Sequence, residues 1–127
     1  MRILVVDDHD LIRSILCELL RSQADFEIVC ECVDAAETIA KVRELLPDVL
    51  VLDISLPDMD GIEVVRRVKA IAPSTEILLC SEHVELMKAG LDAGARGYLI
   101  KSNAVQELTG AVHTVRKGEK YVSKNLI

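Results

Sequence analysis

Aromatic residues are almost absent: Phe26, Tyr98 and Tyr121 are the only ones in 127 residues, and tryptophan is missing. The core must therefore be aliphatic, which suits a sheet layered between helices better than an aromatic-rich β-sandwich. Basic excess is lacking too. Fifteen Lys and Arg against 21 Asp and Glu leave a net charge of −6, a balance that argues against a domain wrapping the phosphates of DNA or RNA. No apolar run approaches the roughly 18–20 residues of a membrane span. The opening Met-Arg-Ile-Leu-Val-Val-Asp-Asp meets acid too early for a signal peptide. A soluble, cytoplasmic chain without membrane contact is the expectation. Cysteines stand at 17, 30, 32 and 80 without the Cys-x-x-Cys spacing of a zinc site, and are expected as reduced, buried or semi-buried thiols. No Gly-x-Gly-x-x-Gly follows the first apolar run, which excludes the dinucleotide fingerprint. Repeats, low-complexity stretches and Pro- or Ser-rich linkers are missing as well. At 14.0 kDa there is room for one domain.

What is present alternates. Short β-branched runs at Arg2–Val6, Phe26–Cys32, Val49–Asp53, Glu76–Cys80 and Ala95–Ile100 are separated by apolar positions at helical spacing. Leu11, Ile12, Ile15, Leu16, Leu19 and Leu20 mark the first helix. Val64, Val65, Val68 and Ile71 mark the third, and Val105, Leu108, Ala111, Val112 and Val115 the fifth. These stripes are read as core. Asp34-x-x-Glu37 and Asp60-x-x-Glu63 have the spacing of capping boxes, and Pro47 and Pro73 stop the helices before them. The fourth helical segment, Glu82–Ala93, is the weakest, interrupted by Gly90 and ended by Gly94. Strand–helix alternation implies parallel strands with right-handed crossovers, hence an α/β three-layer domain.

In open parallel sheets, functional groups collect beyond the carboxyl ends of the strands. Here those ends carry Asp7-Asp8-His9-Asp10, Asp53, Ser81 and Lys101. Two carboxylates 4–5 Å apart repel by roughly 3–4 kcal/mol at an effective dielectric near 20. Three converging acids therefore call for a cation or a proton, and hard oxygen donors suit Mg²⁺, which keeps waters and leaves room for a phosphate oxygen. A carboxylate can also attack phosphorus, giving an aspartyl phosphate. Lys101 would neutralise the transferred group and the Ser81 hydroxyl would donate to it. Taken singly, Asp8 or Asp10 could cap a helix, as could Ser81, and Lys101 could be a surface lysine. Four strand ends supplying one phosphoryl site together outweigh those separate readings.

Ile3-Leu4-Val5-Val6-Asp7-Asp8, Pro47-Asp48-Val49-Leu50-Val51-Leu52-Asp53, Leu56-Pro57-Asp58-Met59-Asp60-Gly61 and Ala93–Lys101 together resemble the receiver domain of bacterial two-component response regulators. The resemblance runs over essentially the whole chain. It implies a flavodoxin-like (CheY-like), doubly wound, five-stranded parallel sheet in the order 2-1-3-4-5, with helices on both faces. It implies that Asp53 accepts a phosphoryl group from a sensor histidine kinase, in a reaction catalysed only on the domain itself. Mg²⁺ would be held by Asp7, Asp8, Asp53 and the backbone carbonyl of Ser55. Ser81 and Tyr98 would be the switch pair, with the Tyr98 ring turning inward as the hydroxyl moves to phosphate, and homodimerisation would follow activation. Ser55, Glu82 and His83 fall where receivers tune phosphate lifetime. His9 and His113 are read as incidental.

The segment Gly118–Ser123 resembles the end of receivers of the NarL/LuxR type, which continue to a helix-turn-helix domain. The chain is thus read as a receiver at 1–117 and a tail at 118–127 leading toward a DNA-binding domain it does not contain, with a stand-alone regulator as the alternative. Three departures from the family pattern stand out. Ser81 replaces threonine, Glu82 replaces a small residue, and the stretch from Ser81 to Gly97 is about two residues short, a deletion placed at the start of the fourth helix. Asp8-His9-Asp10 also resembles the Asp-x-Asp of haloacid-dehalogenase-type phosphatases. The late strands lack that family's further acidic motif, and the surroundings of Asp53 would go unexplained.

Overall fold

The computed structural model describes residues 1–124. Strands β1 (Arg2–Val6), β2 (Glu27–Cys32), β3 (Val49–Leu52), β4 (Glu76–Ser81), β5 (Gly97–Ile100) and β6 (Tyr121–Val122) alternate with helices α1 (Asp10–Arg21), α2 (Ala35–Leu45), α3 (Gly61–Ile71), α4 (Met87–Ala93) and α5 (Ala104–Arg116). All strand pairs are parallel, in the order β2-β1-β3-β4-β5-β6. The five strands expected from periodicity lie in the expected order. The sixth is an addition: two residues of the tail pair with Gly97 and Tyr98, and the fully buried Ser123 accepts the Ile100 N–H at 2.8 Å. The remaining tail residues of the expectation, 125–127, lie outside the described residues.

Because side chains alternate across a strand, each central strand feeds two cores. Ile3, Val5, Val49, Val51, Leu78, Cys80 and Leu99 pack under α1 and α5. Leu4, Val6, Leu50, Leu52, Ile77, Leu79 and Tyr98 pack under α2 and α3. Strands covered on both faces are continuously apolar for this reason. The stripe on α1 is wider than its buried face. Leu16, Cys17 and Leu20 are buried, but Leu11 is 72% exposed and Ile15 39%, and on α5 Val105 is 67% exposed. Those three are corrections to the core reading: they sit one helical face round from the residues that meet the sheet.

The capping boxes are realised unequally. Asp34 accepts the Glu37 N–H at 2.8 Å, while the Glu37 carboxylate reaches back to the Val33 N–H at 3.0 Å. Asp60 accepts the Ile62 N–H at 2.9 Å, but Glu63 turns outward to Arg66 and Arg67, so the second box forms only its forward half. The weak fourth segment is a 3₁₀ turn at Val84–Leu86 followed by the seven-residue α4. Gly90 packs against the sheet, where an added Cβ would come within 2.3 Å of the Leu79 Cδ1.

Candidate functional site

Register brings the acids together. β1 and β3 pair as Val5↔Val51 and Val6↔Leu52, so the next residues, Asp7 and Asp53, leave the sheet side by side. The Asp7 N–H donates to the Cys32 carbonyl and the Asp53 N–H to the Val6 carbonyl, each at 3.1 Å, extending the ladder one residue past each strand. Both carboxylates are buried, whereas Asp8 is exposed. Carboxylate oxygens of Asp7, Asp8 and Asp53 and a ring nitrogen of His9 lie within 4.8 Å of one another.

Lys101, at the end of β5 with 17% of its side chain exposed, places Nζ 3.0 Å from Asp7 Oδ2 and 3.2 Å from Asp53 Oδ2. The approach is an ion pair without hydrogen-bond direction, so both of those buried oxygens lack a hydrogen-bond partner. Burial pushes the Asp53 carboxyl above its ordinary value; the Ser55 N–H, at 3.1 Å from Oδ1, and Lys101 pull against that, while Asp7 adds to it. Burial by itself would lower the Lys101 ammonium, but Asp7 and Asp53 outweigh it and hold Lys101 above its ordinary value. One ammonium thus faces two buried carboxylates. A hard divalent cation would fit the donor set: the Asp7 and Asp53 carboxylates, whose Oδ2 atoms face only the Lys101 ammonium, with the Asp8 carboxylate at the solvent side.

The loops set the remaining geometry. Arg13 donates from Nη1 to the Asp7 carbonyl at 2.8 Å while pairing with Asp10 and Glu31. The motif reading passed over this clamp because arginine in a first helical turn is unremarkable in sequence. His9 lies beside the acids with its side chain 68% exposed: its backbone N–H donates to Asp7 Oδ1 at 2.8 Å and its ring nitrogen stands 3.3 Å from Asp8. The β3–α3 loop is tied to α2 by Asp58, whose carboxylate accepts the Ala35 and Ala36 N–H groups at 2.8 and 3.0 Å. Ser81 is buried, with its Oγ accepting the His83 N–H at 3.0 Å. Tyr98 is fully buried and donates to the Ser81 carbonyl at 3.3 Å, so its ring already lies inward. Glu82 accepts the Ser102 N–H at 2.5 Å, tying the loop after β4 to the residue after Lys101. Ser55, Glu82 and His83 are exposed around the site. His113 packs on Phe26, ring centroids 4.8 Å apart, away from the acids.

The sequence profile of the response regulator receiver domain matches residues 3–113. The chain belongs to the response regulator receiver domain family. This receiver is 33% identical over 121 residues to the response regulator protein VraR of Staphylococcus aureus, covering 94% of the present chain and 58% of VraR. It therefore spans less than two thirds of that relative. A LuxR-family two-component response regulator from Aurantimonas superposes with a TM-score of 0.93 at 31% identity, over 98% of this receiver and 91% of that chain. The signal receiver domain of NarL from Mycobacterium tuberculosis superposes at 0.87 and 33% identity, over 93% and 97%. The receiver is thus a signalling module of the LuxR/NarL type rather than a classical enzyme. Among its described residues no helix is long and apolar enough to cross a membrane.

Proposed function

We propose that Asp53 is the phosphoacceptor of a Mg²⁺-dependent receiver charged by a sensor histidine kinase in the cytoplasm. One observation carries the reading: the buried Asp53 Oδ2 has no hydrogen-bond partner and lies 3.2 Å from Lys101 Nζ. An oxygen of Asp53 attacks phosphorus, the bond from phosphorus to the donor's imidazole nitrogen breaks, and the leaving nitrogen takes a proton. Lys101 faces the oxygens on which charge accumulates. Mg²⁺, held by Asp7, Asp8, Asp53 and the Ser55 carbonyl, would supply further positive charge to the phosphoryl oxygens. The Ser81 hydroxyl would donate its own hydrogen to the new group, since accepting the His83 N–H occupies only a lone pair of Oγ. Tyr98, already inward, would be locked there rather than recruited, and Ser55, Glu82 and His83 would set how water reaches the phosphate.

The output proposed is control of DNA binding through a further domain, supported by the LuxR-type relatives and by the tail that resembles theirs, with self-association of the activated domain. Acetyl phosphate with Mg²⁺ should add one phosphoryl group per chain, and Asp53→Asn should abolish it; undiminished labelling of that variant overturns the assignment. Asp8→Ala should lose the rise in melting temperature that Mg²⁺ produces by mass action. Sedimentation with and without beryllofluoride checks self-association. Sustained hydrolysis of small phosphate esters would favour the phosphatase reading instead.

A further inference from the structure

We propose that Cys30 and Cys32 form a reversible dithiol–disulfide site whose state is felt at Asp7. Their sulfurs stand 4.0 Å apart on one face of β2, an edge strand of the sheet. Cys30 is half-buried and Cys32 is fully buried behind it, the arrangement of an accessible thiol backed by a resolving one. Cys30 is the sulfur that a solvent oxidant reaches, since Cys32 is fully buried, and burial raises the Cys32 thiol, with the neighbouring Cys30 adding to this. Cys17 and Cys80 differ. Each is buried in the opposite core, and burial pushes their thiols up to about 11 and about 12.

The pair exists because β2 slips. Pairing runs Ile3↔Ile28 and then Leu4↔Cys30, so Val29 is an extra residue and the strand changes parity there. Ile28 packs under α1 and α5, while Cys30 and Cys32 pack under α2 and α3. Two strand rises separate their Cα atoms by about 6.6 Å, close to the upper end, about 6.8 Å, of the range that a disulfide spans. On an edge strand with Cys30 half-exposed, such a bridge is open to reductant, which is the property of regulatory rather than structural disulfides.

Closure has a balanced route with hydrogen peroxide as oxidant. The Cys30 sulfur attacks one peroxide oxygen, the O–O bond breaks, and the departing hydroxide leaves as water with the Cys30 proton. The Cys32 sulfur then attacks the Cys30 sulfenic acid, the S–O bond breaks, and a second water carries off the Cys32 proton. Two thiols lose two electrons and one peroxide becomes two waters. Shortening the sulfur–sulfur distance bends the end of β2, where the Cys32 carbonyl accepts the Asp7 N–H at 3.1 Å.

The test treats the reduced chain with equimolar hydrogen peroxide, alkylates it in denaturant, and maps the four cysteines by tandem mass spectrometry. The expected product is monomeric and two hydrogens lighter, with Cys17 and Cys80 alkylated, Cys30 and Cys32 protected, and the thiols restored by reductant. Cys30→Ser, at a half-exposed position, should remove the cross-link with the fold intact. The Asp7 amide should exchange about tenfold faster in the oxidised wild type and at an unchanged rate in peroxide-treated Cys30→Ser. A sulfinic acid on Cys30, a cross-link between chains, or alkylation at all four positions overturns the site. A cross-link with unchanged Asp7 exchange overturns the coupling. Neither readout depends on phosphorylation of Asp53, so failure here and failure of the phosphoacceptor assignment are separable.

Discussion

The loop that carries Asp53 and the loop that follows Ser81 flank the same site but are held very differently. After β3, Asp53 accepts the Ser55 N–H, Ser55 bridges to Asp60, Asp60 caps α3, and Asp58 caps α2. Gly61 closes that loop so tightly that a Cβ there would stand 2.4 Å from the Ile54 carbonyl oxygen. After β4, the backbone passes through exposed Glu82 and His83 into a 3₁₀ turn and a helix that both lack a side-chain cap. Its side-chain ties are the Ser81 and Glu82 bonds to His83 and Ser102, the Tyr98 bond to the Ser81 carbonyl, and an exposed His83–Glu85 contact at 3.4 Å. One loop is over-determined and holds Asp53 in place; the other is lightly held. Low local stability is what a moving element requires.

The largest test of that contrast is a pair of glycines. Gly61→Ala drives a methyl into backbone and should cost on the order of 3 kcal/mol. Gly90→Ala meets only the end of the Leu79 side chain, and the helix propensity it gains, about 1 kcal/mol, offsets much of the crowding. Urea midpoints of the two variants measure this, and equal losses would break the comparison.

Asp53 and Asp58 share a loop with opposite pH signatures. Asp53 is raised, chiefly by burial, so the stability it contributes is present below its unfolded pKa and is lost as pH rises through the folded one. Metal-free Asp53→Asn should therefore be the more stable protein at neutral pH, by on the order of 1 kcal/mol, and the gain should vanish in acid. Asp58 is lowered, chiefly by the Ala35 and Ala36 N–H groups, so its contribution is present above the unfolded pKa and is lost as pH falls through the folded one. Asp58→Asn should lose stability at neutral pH and converge on wild type in acid. Melting curves between acid and neutral pH read both signs.

Smaller effects belong to the side of the loop after β4. Tyr98→Phe leaves the ring packed and removes the bond to the Ser81 carbonyl, a loss of about 1 kcal/mol readable by denaturant titration. Glu82→Ala removes an exposed clasp and should change stability by less than about 0.5 kcal/mol, while amide exchange over residues 82–93 rises. A larger thermodynamic loss would mean that the loop is not lightly held.

The two regions also differ in how far they could be read from residues. The β3–α3 side was legible because strand-terminal Asp53, the Pro-x-x-Asp-Gly pattern and the caps are local in sequence. Asp58 as a cap for α2 was not, since its partners lie more than twenty residues away. The Arg13 clamp on Asp7 and the strand at Tyr121–Val122 escaped for a different reason: short, polar or isolated residues carry no periodicity, and a two-residue strand forms only where an edge already waits for it.

The sheet order was implied by the family that the motifs resemble, while alternation of apolar runs set the strands, the helices and the parallel layering, and the acids and lysine at the strand ends marked the candidate site. The elements and their layering rest on local sterics and on the period of burial, which one chain read in order displays. Only the tertiary structure decided which leucines of α1 stay wet, that Tyr98 rests inward, and that β2 slips at Val29 to set two cysteines behind the Asp7 backbone. Each of these depends on which surfaces meet across the sheet, and a register shift of one residue, invisible in composition, reverses every side chain beyond it.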